Sequence, residues 1–286
     1  MINITDFTKG VELSGYIANM PDDYYHSTDG FISKSSLSSL KASPFRFFTG
    51  VKFKQTKAME IGTAIHCALL EPEKFAATYR LDPDLTDKRL KSYKDAVKEL
   101  QGFNFFIGQD AKNINGMMDA VLENDAARDL LHSDGVSELS GFHVDSETGI
   151  KLRHRFDRLT ADGCGVDVKK TQSVRPEELS KTIDKYGYAM QDALYSDAYE
   201  AITGRKLNQF YFIFVEESYP HEVAVVYLDD VSKQVGRDQY RNLLIDYDYY
   251  KNNPETLKNN SGINMISLPE WALREYENGL EDGGIF

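Results

Sequence analysis

The chain has 286 residues, 41% of them hydrophobic, with a net charge of −12 and two cysteines. That is enough apolar content for a substantial core, while no run of eighteen apolar residues offers a membrane span and no Cys/His spacing offers a zinc site. The acidity is uneven: residues 33–57 carry net +6 and residues 151–175 net +4, leaving −22 for the rest. This is the pattern of a local polyanion path on a repelling exterior, with two solvated basic faces as the alternative.

Residues 1–30 are polar and rich in turn formers, and they lack the basic-then-apolar pattern of a signal peptide, so the expected setting is cytoplasmic. Ser33 is placed as the cap of a helix carrying Leu37 and Leu40, followed after Pro44 by the aromatics Phe45, Phe47 and Phe48. From Lys57, apolar residues recur at helical spacing through Ile61, Ala64, Ile65 and Leu69 and stop before Pro72. His66 lies in that helix, where it is either a satisfied core residue or an imidazole held toward a metal. Residues 73–135 are charged and weakly periodic and read as several helices, with 88–98 solvated. Cys67 and Cys164 read as buried, incidental thiols.

Strand signals begin at residues 136–144 and continue in a β-hairpin over residues 150–171. Its turn, Ala161-Asp-Gly-Cys-Gly165, supplies the positive φ that tight hairpins need. Alternation along the returning strand puts Asp167 and Lys169 on one face and Val168 on the other. Pairing brings Asp157 on the first strand near Asp167. Two close carboxylates are unfavourable without a cation, and Mg²⁺, with Mn²⁺ as a substitute, is the natural hard ion for them. The lysine beside them is suited to orient water or stabilise charge on a phosphate.

Pro176 opens a helical run to about Thr203, ended by Gly204. Tyr188, Gln191, Tyr195 and Tyr199 share one face of it, either as core or as a polar stripe toward the hairpin. Strands follow at 208–216 and 221–228, then a helix capped by Asp229 to about Tyr250, and a last short helix opening at Leu268-Pro-Glu-Trp271. The succession predicts an α/β fold, a central mixed sheet flanked by helices. The whole of 1–286 is expected to be a single domain: an N-terminal arm (1–30), a helical part (31–135) that forms an N-terminal helical extension, and a sheet-containing core (136–286).

Five stretches, in this order, resemble the nuclease domain of the RecE (exonuclease VIII) family of the PD-(D/E)XK nuclease superfamily: Gly62-Thr-Ala-Ile-His66 and its continuation to Phe75, Arg155-Phe-Asp157-Arg158, Val166-Asp-Val-Lys169-Lys-Thr171, Tyr188 through Tyr199, and Ser267-Leu-Pro-Glu-Trp271. The resemblance implies a PD-(D/E)XK nuclease core in which Asp157, Asp167, His66 and the Val168 carbonyl hold metal, Lys169 acts on water or charge, and Gln191 and Tyr195 line the site. Two positions depart from the pattern, Lys170 in place of a common threonine and Phe156 in place of a common proline. The resemblance further implies a Mg²⁺-dependent, processive 5′ to 3′ exonuclease on double-stranded DNA ends that makes single-strand overhangs for recombination. It also implies a ring-like homotetramer working beside a single-strand annealing protein of RecT type, and no membrane. Within the basic segments, Lys52, Lys54, Arg153, Arg155, Arg158 and Lys170 are the expected DNA contacts. The alternatives are a RecB-type nuclease, a related iron–sulfur type disfavoured by having only two cysteines, an endonuclease, and an inactive DNA-binding assembly protein on the same fold.

Overall fold

A computed structural model describes residues 2–51, 56–258, 262–263 and 265–281, without side-chain detail at 275 and 279–281. In chain order the elements are β1 (Ile4–Asp6), β2 (Gly15–Ala18), α1 (Asp22–His26), α2 (Lys34–Ala42), α3 (Pro44–Phe48), α4 (Lys57–Leu70), α5 (Pro72–Thr78), β3 (Tyr79–Asp82), α6 (Lys91–Glu99), β4 (Asn104–Ile107), α7 (Gly108–Glu123) and α8 (Asp125–His132). The second half runs β5 (Gly135–Val144), β6 (Lys151–Thr160), β7 (Cys164–Thr171), α9 (Pro176–Tyr186), α10 (Tyr188–Thr203), β8 (Gln209–Glu216), β9 (Val223–Val226), α11 (Asp230–Asn252) and α12 (Glu270–Glu281).

Seven strands form one mixed sheet in the order β1-β2-β5-β6-β7-β8-β9. β5, β6 and β7 are antiparallel neighbours, and β7 pairs with β8 in parallel through the α9–α10 crossover. Both faces of the sheet are covered. On one, Phe156, Phe210, Phe212 and Phe214 pack with Leu37 and Leu40 of α2, Ala193 and Leu194 of α10, and Tyr240 and Leu244 of α11. On the other, Val166, Val168, Ile213 and Val215 meet Ile61, Ala64 and Ile65 of α4 and Ile114 and Met117 of α7. Burial on both faces explains why β8 reads as a continuous apolar run.

The structure differs from the sequence reading at three places. The N-terminal arm is not loop alone: β1 and β2 extend the sheet, with Tyr16 and Ile17 buried on opposite faces, and strands of three and four residues are too short to show a period. The helical stretch before residue 135 contains a small parallel pair, β3 with β4, hidden for the same reason. The long helix after Pro176 is two helices, because Gly187 takes a left-handed conformation (φ 65°) that ends α9 and lets α10 start in a new direction. No helix among the described residues is long and apolar enough to cross a membrane.

Candidate active site

The site forms where β6 and β7 part. The hairpin turns through Gly163, at φ 87°, and the regular ladder pairs Leu159 with Gly165 and Arg158 with Val166. Beyond that pair the ladder gives way to a side chain: the Val168 N–H donates 2.7 Å to the Asp157 carboxylate. The N–H and C=O of one strand residue point to the same side, so the Val168 carbonyl faces the same gap. Its side chain stands out from the sheet and is buried against α4 and α7.

Two further elements bring groups to Asp157. α4, capped by Thr56, presents His66, whose Nδ1 lies 3.3 Å from Asp157 Oδ2. The His66 side chain remains 29% exposed, so it stands off the apolar face of its helix rather than in the core. On β5 the register pairs Ser137 with Arg158 and Leu139 with Phe156, which sets Glu138 directly opposite Asp157. Glu138 has φ 50°, a left-handed conformation that costs a non-glycine residue on the order of 1–3 kcal/mol and marks sites where function overrides local comfort. Ligand atoms of His66, Glu138 and Asp157 all fall within 4.8 Å of one another.

Like charges directly opposite on antiparallel strands repel. Burial first, and the Asp157 charge second, push the Glu138 carboxyl up to about 8. Burial and Asp167 likewise raise Asp157, against the pull of His66 and Lys169. A donor set of two carboxylates and an imidazole, strained in backbone and unwilling to ionise without compensation, fits a divalent cation.

Asp167 and Lys169 lie on the α10 side of the sheet, paired in register with Phe212 and Phe214. Asp167 forms an ion pair with Lys169 and accepts a 2.5 Å hydrogen bond from Gln191 of α10. Although burial opposes its charge, the Asp167 and Asp157 carboxylates hold the Lys169 ammonium above its ordinary range. α10 is fixed in turn by α11: Arg237 and Tyr240 both donate to Asp197, and Lys233 lies 3.1 Å from the buried Asp192.

The structure therefore brings His66, Asp157, Asp167, Val168, Lys169 and Gln191 into one neighbourhood. Tyr195 is adjacent but packs as core, its ring 5.1 Å from His154 and 5.3 Å from Phe156. Of the expected DNA contacts, three arginines are engaged within the chain. Arg153 donates to the Tyr25 and Thr28 carbonyls, Arg155 to Asp22, the Met20 carbonyl and Ser140, and Arg158 to Ser137 and the Ser133 carbonyl. Lys170 lies 2.7 Å from Glu217, and Lys52 and Lys54 lie outside the described residues.

Sequence reasoning missed Glu138. Its signal was the strand at 136–144, since counting the register back from the turn before Ile150 would have set it against Asp157. Lys34 was missed too, having entered only as one charge in a basic segment.

Fold and site together define a PD-(D/E)XK-type nuclease domain, a class whose members generally use divalent metals. The chain belongs to the family described as "PDDEXK-like domain of unknown function (DUF3799)", whose model matches residues 33–266. These matches reach the superfamily and do not single out its RecE branch. A crystal structure described as "Putative exonuclease" from Eubacterium rectale is similar in fold, with TM-score 0.60 at 11% identity, covering 89% of this chain and 98% of that one. A second structure, SSO0001, has TM-score 0.27 at 11% identity over 76% of this chain and 88% of that one, too distant a likeness to argue from. No curated protein matches the sequence.

Proposed function

We propose that the chain is a Mg²⁺-dependent exonuclease that digests one strand of duplex DNA from an end, 5′ to 3′. The observation that carries this reading is the pair of facing carboxylates, Asp157 and Glu138, with His66 beside them and the Asp167–Lys169 pair on the neighbouring strand. In this reading His66, Glu138, Asp157, Asp167 and the Val168 carbonyl are the metal-holding groups. An ion bound there supplies polarisation of a phosphate oxygen and a bound water of lowered pKa.

The rest of the chemistry belongs to the chain. The Val168 N–H and His66 fix the Asp157 carboxylate, and Gln191 and Lys169 fix Asp167. Lys169, half-buried and held protonated by its carboxylate neighbours, is placed to meet negative charge developing on a phosphate or to orient the attacking water. Exonuclease rather than endonuclease action is supported by the acidic exterior, which leaves few favourable approaches for a duplex, and by the description of the Eubacterium rectale neighbour. A cytoplasmic homotetramer that hands its overhangs to a RecT-type annealing protein completes the proposal.

The test is a nuclease assay on linear and covalently closed circular duplex DNA with Mg²⁺, Mn²⁺ or EDTA. Loss of the linear form alone, only with metal, and from 5′-labelled ends first, is the expected result. Cutting of the circle would make the enzyme an endonuclease. No cutting in any metal would leave a DNA-binding protein on a nuclease fold.

A further inference from the structure

Lys34 is the first residue of α2, directly after the Ser33 cap. A cation there sits at the positive end of the helix macrodipole, the reverse of the favourable placement. The residue is half-buried, and its ammonium donates 2.6 Å to the Tyr186 carbonyl at the end of α9. Among the described residues no carboxylate reaches ion-pairing distance of it. The acid that acts on it from nearby, Asp167, is already bound by Lys169 and Gln191. Burial first and the Lys169 charge second bring the amine down to about 8.

The placement next to the site is specific. The Lys34 ammonium lies 5.3 Å from the centroid of the Tyr188 ring, and the Lys169 ammonium lies 5.4 Å from the same centroid. One aromatic ring at the start of α10 thus carries two ammonium groups. One is matched by a carboxylate; the other is not. A half-buried cation beside a second cation, with no carboxylate of its own, is an arrangement that an incoming anion would stabilise.

We propose that Lys34 is a substrate-binding residue of this site, receiving a phosphate of the cleaved strand next to the scissile one, while Lys169 serves the scissile phosphate. The proposal rests on the nuclease reading and extends it, because it assigns to α2 a contact with DNA that the metal groups do not make.

The test measures binding and turnover separately on the full chain. Affinity for a linear duplex oligonucleotide, carrying either a 5′-phosphate or a 5′-hydroxyl, is measured in EDTA at several salt concentrations for the wild type, Lys34→Met and Lys34→Arg. The methionine keeps an apolar stem against Tyr188. It is expected to weaken binding roughly tenfold, the value of one charge-assisted contact, and to flatten the dependence of log affinity on log salt by about 0.9. KM should rise in proportion with kcat within about threefold, and arginine should restore most of both. Equal losses on both ends identify an internal phosphodiester as the anion; a loss confined to the phosphorylated end identifies the terminal phosphate.

An unchanged affinity and salt slope in Lys34→Met overturns the inference. So does a variant that loses thermal stability or kcat with its salt slope intact, for then Lys34 only latches α2 to the end of α9. The two readings fail separately. A wild type that binds DNA through Lys34 but cuts nothing in Mg²⁺ or Mn²⁺ sinks the nuclease reading alone. One that cuts linear DNA with no Lys34 dependence sinks only this inference.

Discussion

Replacing Glu138 by glutamine should stabilise the metal-free protein at alkaline pH and weaken its response to metal. In the folded chain Glu138 faces Asp157 across the β5–β6 ladder, with Arg155 opposing and Glu71 and Asp22 adding to the negative field. Its carboxyl is carried from 4.5 to about 8, so between those values the folded state holds a proton that the unfolded state has released. Stability must therefore fall as pH rises through that window. At 1.36 kcal/mol per pH unit the rise caps the cost at about 5 kcal/mol. The facing carboxylates share that cost and solvent reaches Glu138, so about 2 kcal/mol is the expected gain in Glu138→Gln above pH 8, or about 3 °C in Tm. Thermal melts at pH 5 and pH 8.5, in EDTA and in Mg²⁺ or Mn²⁺, measure it. The variant should match wild type at pH 5, exceed it at pH 8.5 in EDTA, and gain less than wild type when metal is added. Identical pH dependence for the two proteins in EDTA, or an undiminished metal response in the variant, would refute the argument that β5 contributes to a cation site.

Asp157→Asn and Asp167→Asn should each lower turnover at least a hundredfold while circular dichroism shows the fold retained, because each removes a negative charge with little change in shape; near-wild-type turnover at saturating Mg²⁺ would dismiss that residue. Lys169→Ala should lose turnover but keep metal affinity by calorimetry, since an ammonium is no ligand; a parallel loss of metal binding would make its role structural. Gln191→Ala should cost roughly tenfold in turnover through a misdirected Asp167, and an unaffected rate would show that Asp167 needs no such support. In Gly236→Ala the new methyl would collide with the Ala189 carbonyl of α10, so a drop of more than about 2 kcal/mol is expected in denaturant unfolding, and a neutral result would mean that α10 and α11 are not seated as described.

The returning strand of the hairpin was the most readable part of the chain, because alternation alone separates Asp167 and Lys169 from Val168 and the register with Phe212 and Phe214 repeats that separation. The helix carrying His66 was readable from its apolar spacing, but the side on which the imidazole stands was not, since a histidine among apolar neighbours serves the core or a metal equally well. Charge counts were a poorer guide. Arg153, Arg155 and Arg158 gave the segment its positive sign, yet each guanidinium is turned to carbonyls, hydroxyls or a carboxylate of the chain's own N-terminal and β5 regions. A sum over sequence cannot distinguish a cation that faces solvent from one that ties down a loop.

Glu138 shows where the sequence stops and the fold begins. Its neighbours, Ser137, Leu139 and Ser140, identify a strand, and nothing in a strand singles out one glutamate. What distinguishes it is a facing residue, Asp157, nineteen positions further on and a backbone angle of φ 50° that no residue type there requires. Next to this pair β6 and β7 part, and Asp157 takes the Val168 N–H in place of a strand partner. The same irregularity draws Asp157 toward α4 while Asp167 stays toward α10, so the two carboxylates of the hairpin are approached from opposite layers of the fold, by His66 on one side and by Gln191 and Lys169 on the other. Because β6 and β7 are interior strands of a sheet covered on both faces, both acids are buried, and burial is what makes the charge of Asp157 depend on a cation.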